Sequence, residues 1–185
     1  MDPRRTSAAL LASLGVIAGA LLSTAAPAQA YETLTVRTAR VDTDDCSRLS
    51  GTLAVTASTY GCYLYDSVDD TYFVKDPGGE AAKMELWNGG DQVAKVEFHP
   101  YDRNLWVYDT SNDGDTVYVR VYSTRRAQWS PVYYAVGTSK DVDVHRITPQ
   151  DEPWFAAIAE NEDLIVEVYD NSDATKPLGR VWARA

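Results

Sequence analysis

The sequence predicts an all-β domain, an antiparallel sandwich with at most one short helix. Three observations predict it. Short stretches of Val, Thr, Tyr and Leu alternate with polar residues along most of the chain. Gly-, Asn- and Asp-rich turns interrupt them about every eight to twelve residues. A single segment, Glu152 to Glu160, has helical character. A closed β-barrel is the second architecture compatible with this pattern.

The first thirty residues are set aside from the domain. Arg4 and Arg5 precede an apolar, alanine-rich run beginning at Ala8, and Ala28-Gln29-Ala30 forms a small-x-small site before Tyr31. This is the pattern of a secretory signal peptide. No basic stop-transfer flank follows, which argues against a membrane anchor, and Thr6-Ser7-Ala8 after the arginines favours the general secretory route over twin-arginine export. The expected mature chain is a single domain, residues 31–185, secreted and extracellular, with no membrane span. Its two cysteines, Cys46 and Cys62, are expected to form a disulfide in that oxidising compartment.

The chain carries 17 basic and 27 acidic residues, a net charge of −10. Setting aside Asp2, Arg4 and Arg5 removes one negative and two positive charges and makes it −11. The acidity is spread along the sequence. It excludes nucleic acid and anionic membrane surfaces as partners, both of which demand basic patches. It suits solubility and a basic partner.

The elements follow in order. Thr33 to Val41 alternates as a strand, and the polar run Asp42 to Gly51 separates it from the rest. A strand on such a linker either joins its own sheet or is donated to a partner's edge, so residues 31–41 are a candidate detachable docking strand. Thr52 to Tyr65 has β composition, Asp66 to Asp70 is an acidic turn, and Thr71 to Val74 is a short strand stopped by Asp76-Pro77-Gly78-Gly79. Ala82, Met84 and Leu86 alternate with Lys83 and Glu85, as Ala94, Val96 and Phe98 do with Lys95 and Glu97. With Asn88-Gly89-Gly90 as a three-residue loop, Met84 faces Ala94 and both apolar sets share one side. Leu105 to Tyr122 reads as the next hairpin, and pairing Val107 with Val119 keeps Leu105, Val107, Val117, Val119 and Val121 together. Val142 and Val144 mark a further strand, Leu164 to Val168 another, and Leu178 to Trp182 the last. Pro153 after Asp151 and Glu152 opens the helical segment.

That hairpin register puts Trp106, Tyr108, Tyr118, Arg120 and Tyr122 on the face opposite the valines, with Arg120 opposite Trp106. Trp, Tyr and Arg are the residues enriched at binding hot spots, and flat aromatics also stack on sugar rings. These five are the candidate binding site, unless a second layer covers them. The loop between the two strands holds Asp109, Asn112, Asp113 and Asp115, oxygen ligands of the kind calcium takes in sets of six to eight. Counting from Asp109, however, Arg120 stands at the twelfth position, where an EF-hand places a bidentate glutamate. Asn, Asp and Gly also serve a plain turn, and the loop is read as one. No cofactor is expected, with calcium the alternative.

Leu164 to Trp182 resembles the late strand pair of C2 domains, β-sandwiches whose acidic loops bind calcium and often lipid. Asp170 and Leu178-Gly179 match that pattern. Ser172 stands where a second aspartate is usual, and Asp173 comes one place late. The likeness covers about nineteen residues and implies a sandwich more than a metal site. The alanine-rich leader and the Tyr108 to Tyr118 turn also resemble small exported proteins of actinobacteria. Some of those are noncatalytic adaptors in secreted antibacterial toxin particles.

Catalytic signatures are sparse. His99 and Asp102 could form a dyad for general-base chemistry, but no nucleophile turn accompanies them. Asp143 and His145, in line with Asp141, read as the polar face of a strand rather than a metal pair. The function expected is therefore a noncatalytic protein-interaction module or adaptor in an extracellular assembly. A carbohydrate- or calcium-dependent binder is the alternative, and a hydrolase the third.

Overall fold

The computed structural model describes residues 34–111, 114–135 and 142–185. The leader read at residues 1–30 lies outside the described residues, as do Asn112, Asp113 and Asp141. The fold is all-β and antiparallel, with strands β1 (Thr35–Asp42), β2 (Arg48–Gly51), β3 (Thr56–Ala57), β4 (Gly61–Leu64), β5 (Thr71–Val74), β6 (Glu80–Asn88), β7 (Asp91–His99) and β8 (Asn104–Asp109). There follow β9 (Tyr118–Ser123), β10 (Gln128–Trp129), β11 (Tyr133–Tyr134), β12 (Asp143–Ile147), the short helix α1 (Pro153–Ala156), β13 (Asp163–Tyr169) and β14 (Pro177–Arg184). No helix among the described residues is long and apolar enough to cross a membrane.

A large curled sheet runs β10-β9-β13-β14-β6-β7-β8-β12, and a small one runs β3-β4-β5. The large sheet turns a corner at β14 and β6, which share only the pair Arg184 and Glu80. Arg184 Nη1 meets Glu80 Oε1 at 3.1 Å, and its Nε donates to Asp163 at 2.8 Å. From Glu80 to Trp87, β6 pairs with β1 over eight residues. Gly179 lies against Val36, where an added Cβ would come within 3.0 Å of the valine side chain. The Leu178-Gly179 pair thus serves close packing between β14 and β1.

The two halves of the curled sheet face one another over a shared core. Met84, Leu86, Val96, Phe98, Leu105 and Val107 come from one half, and Val119, Val121, Leu164, Val166 and Val168 from the other. Phe155 of α1 plugs this core. The sandwich expected from the alternation is therefore present, and the sheet does not close into a barrel.

Two registers differ from expectation. Leu105, Val107, Val117, Val119 and Val121 do share one core, but β8 and β9 are not paired. Val107 lies opposite Val96 and His145, and Val119 opposite Val168 and Tyr133. Alternation states which side chains point inward. It does not distinguish neighbours in one sheet from strands facing across a core. In the β6–β7 hairpin, Asn88 pairs with Asp91, leaving Gly89-Gly90 as a two-residue loop. The register then shifts between Leu86 and Trp87, so Val93 is an extra residue, and Met84 faces Val96 rather than Ala94. The bulge restores the apolar alternation that a two-residue loop alone would have broken.

A third layer lies outside β1, β6, β7 and β8. There the small sheet and its connections cover Ala39, Val41 and Ala81 with Cys62, Leu64 and Phe73, forming a second core. Cys46 and Cys62 are joined in a disulfide, Cα to Cα 5.3 Å, which ties the turn after β1 to β4. The polar run Asp42 to Gly51 is thus no free linker: it contains β2 and is anchored at Cys46. Replacing both cysteines with serine is expected to lower stability by about 3 kcal/mol, through loss of the constraint on the unfolded chain. Chemical denaturation of the mature protein and its double variant measures this. Thiol labelling of the denatured, unreduced wild type should find no reactive cysteine.

Candidate binding surfaces

The five residues of the expected aromatic face divide between two places. Trp106 and Tyr108 sit on β8, on the outer side of the sheet beside the third layer. Tyr118, Arg120 and Tyr122 sit on β9, in the other half of the sandwich. Arg120 does not reach Trp106. Its guanidinium lies 5.2 Å from the Trp129 ring, while Arg146 lies 4.0 Å from Trp106.

Tyr108 is buried within a charge cluster rather than exposed. Its ring lies 4.2 Å from the Lys95 ammonium and its hydroxyl donates to Asp69 at 3.2 Å. Lys83 and Lys95, both fully buried, reach the same oxygen of Asp66 at 2.6 and 3.0 Å. Lys83 also contacts Glu85 at 2.9 Å, and Lys95 contacts Glu97 at 3.0 Å and Asp69. Glu97 bonds His99 at 2.9 Å and accepts from Thr71. Burial alone would raise the Asp66 carboxyl, but the hydrogen bonds and charges of Lys83 and Lys95 hold it well below the carboxylate range. Glu97 is likewise lowered: His99 and Lys95 outweigh its burial. Lys95 is raised, because Glu97, Asp69 and Asp66 outweigh the burial that would lower it. Among the described residues Asp66, Asp69 and Glu97 converge closely enough to suggest a metal site. The Lys95 ammonium contacts all three, so the cation at this position is part of the chain.

The other candidate residues among those described have local partners. Asp109 ends β8 and is buried, its Oδ1 accepting from Ser111 N at 3.1 Å. Asp115 accepts from Thr116 N at 2.9 Å. In the 170–176 loop, Asn171 Oδ1 accepts from Thr175 N and Lys176 N at 3.1 and 3.0 Å, and Asp173 accepts from Thr175 Oγ1 at 3.0 Å. His99 bonds Glu97 rather than Asp102. His145 bonds the carbonyl of Tyr134 at 2.8 Å, linking β12 to β11, rather than Asp143.

Two surfaces stand out. On the outer side of β9, β13 and β14 no further sheet is stacked among the described residues. Cross-strand pairing places Trp129, Tyr122, Ile165 and Trp182 in one row and Arg120, Glu167 and Arg180 in the next. Tyr118 continues the face, its ring 5.5 Å from that of Tyr134. Tyr122 packs 5.1 Å from Trp129, and Trp182 is 45% exposed. Ile165, Trp182 and Arg180 were legible only as alternate residues of their strands. The register that joins them to Tyr122 and Arg120 is long-range.

The second surface belongs to the small sheet. Cys62, Leu64 and Phe73 point into the second core, so Tyr63, Tyr65 and Tyr72 point outward. Gly61 makes room for the Tyr72 ring, which a Cβ there would meet at 2.5 Å. Beyond Tyr72 lies a small cleft lined by His99, Tyr101, Asp102, Asn104 and Trp106.

Comparison with models of protein families, with curated proteins and with solved structures returned no match.

Proposed function

We propose that this chain is an exported, noncatalytic binding module that docks a protein partner on the open face of β9, β13 and β14. The observation that carries this reading is the row Trp129, Tyr122, Ile165 and Trp182 beside Arg120 and Arg180 on a sheet face that no further sheet covers among the described residues. An uncovered antiparallel face is ordinarily polar. Tryptophan, tyrosine and arginine together are the composition of interface hot spots. Arg180 is exposed and makes no ion pair among the described residues. In a chain of net charge −10, Arg120 and Arg180 flank Glu167 and leave this row with one net positive charge, which suits it to a partner with an acidic rim.

Export rests on the leader pattern, and the disulfide is consistent with an oxidising compartment. The resemblance to small actinobacterial exported proteins supports an adaptor in an extracellular assembly, with an antibacterial toxin particle as the specific case. The test is copurification of the tagged mature chain from culture supernatant, with Trp182→Ala in parallel. A defined protein partner is expected. Truncating Trp182 should weaken its binding by about 2 kcal/mol or more, roughly 30-fold, with little change in melting temperature. Partner capture indifferent to Trp182 and Arg180 would place docking elsewhere and defeat this reading.

A further inference from the structure

We propose a second site, on the opposite outer layer of the molecule: the tyrosine strip of β4 and β5 with its adjoining cleft binds the pyranose rings of a neutral polysaccharide. The strip is built rather than incidental. Tyr63 and Tyr65 have ring planes within 7° of parallel and centroids 6.1 Å apart, so their faces share one orientation. Tyr72 follows, its centroid 4.6 Å from that of Tyr63. Tyr65 and Tyr101 are 67% and 58% exposed, and the packed sheet beneath holds the strip.

The cleft at the end of the strip, about 180 Å³, has room for a single ring. Its walls are Tyr72, Val74, Tyr101 and Trp106, and Asp102 and Asn104 supply an acceptor and an amide. The indole N–H of Trp106 is buried and finds no acceptor among the described residues. His99 stacks on Trp106 at 4.6 Å and Arg146 lies 4.0 Å from its ring, so the indole is held in place. Aromatic faces with a few hydrogen-bonding groups match a sugar ring, which has apolar C–H faces and a hydroxyl edge.

Charge selects the class of sugar. Asp102 couples to Asp76, whose carboxyl is raised by burial and by the charges of Glu160, Asp44 and Asp102 against the opposing pull of Arg103. Among the described lining residues Asp102 is the carboxylate and none is a lysine or arginine, so the lining offers no such cation to pair with phosphate, sulfate or uronate. Proline-rich peptides also dock on aromatic grooves, and competition by one is an outcome of the test.

The experiment is retention of the mature chain on insoluble cellulose, chitin and β-1,3-glucan, with calorimetric titration of the matching hexasaccharide. Retention on at least one polymer is expected, with none on polygalacturonate. Tyr101→Ala and Tyr65→Ala, both at exposed positions, should each weaken it about tenfold at unchanged melting temperature. Trp182→Ala should leave it intact, which separates this site from the protein-docking face. Failure on all three polymers would overturn the proposal. So would retention indifferent to Tyr101 and Tyr65, loss with Trp182→Ala, or displacement by a proline-rich decapeptide.

Discussion

Replacing Lys95 with methionine is expected to destabilise the fold by about 3–5 kcal/mol, the cost of removing one partner from a buried ionic cluster. Methionine fills much the same volume, so the loss is electrostatic rather than a cavity. Without the ammonium, Glu97 keeps His99 and Thr71, and the Asp66 oxygen that Lys95 shared keeps Lys83 as its cation, with the Val68 and Asp69 amides on the other oxygen. Tyr108 loses the cation beside its ring. Urea denaturation at neutral pH, followed by tryptophan fluorescence, measures the change. A loss of under about 1 kcal/mol would mean the cluster is solvated as a surface pair is.

The pH dependence has a definite sign. Asp66 and Glu97 are lowered from ordinary values of 3.8 and 4.5. Their contribution is present above those values and is lost as the pH falls through the depressed ones. Lys95 is raised from 10.5, so its contribution is present below that value and is lost as the pH rises through the raised one. Wild-type stability should therefore fall on both flanks. The Lys95→Met variant should lack the alkaline loss due to this group. It should also lose less in acid, because its unpaired carboxylates protonate more readily.

This cluster shows where local pattern stops being informative. Lys83, Glu85, Lys95 and Glu97 alternate with core residues as the solvated face of a hairpin would, and the inward half of that reading is correct. What covers the outward half comes from residues 53–74, and its counter-charges, Asp66 and Asp69, sit in an acidic turn that looks like an ordinary exposed loop. No period-two signal reports a third layer. The same blindness made β8 and β9 look like one hairpin. Tyr108 is buried beneath the added layer, and Tyr118, Arg120 and Tyr122 belong to a face that β13 and β14 complete. The tyrosine strip had a local signal. Cys62 and Leu64 are apolar alternates, so Tyr63 and Tyr65 had to point the other way, and two outward tyrosines at and just past the end of β4 call for explanation.

Deleting residues 34–42 is expected to abolish folding of the mature domain. The reading of this segment as a detachable docking strand predicts the reverse, an intact fold that no longer captures its partner. In this structure β1 lies in its own sheet, paired along its full length with β6 and on the other edge with β2. Ala39 and Val41 are fully buried in the second core, against Cys62, Leu64 and Phe73. On the opposite side Val36 packs on the main core where Gly179 admits it. Removal would expose the β6 edge and open one side of the second core, which the Cys46–Cys62 bridge alone would not reseal. It would also let water reach Lys83 and Glu85, which lie opposite Ala39 and Arg37. Circular dichroism and a thermal melt decide the matter. A cooperative transition retained within a few degrees of wild type, with partner capture lost, would show that β1 is the donated strand after all.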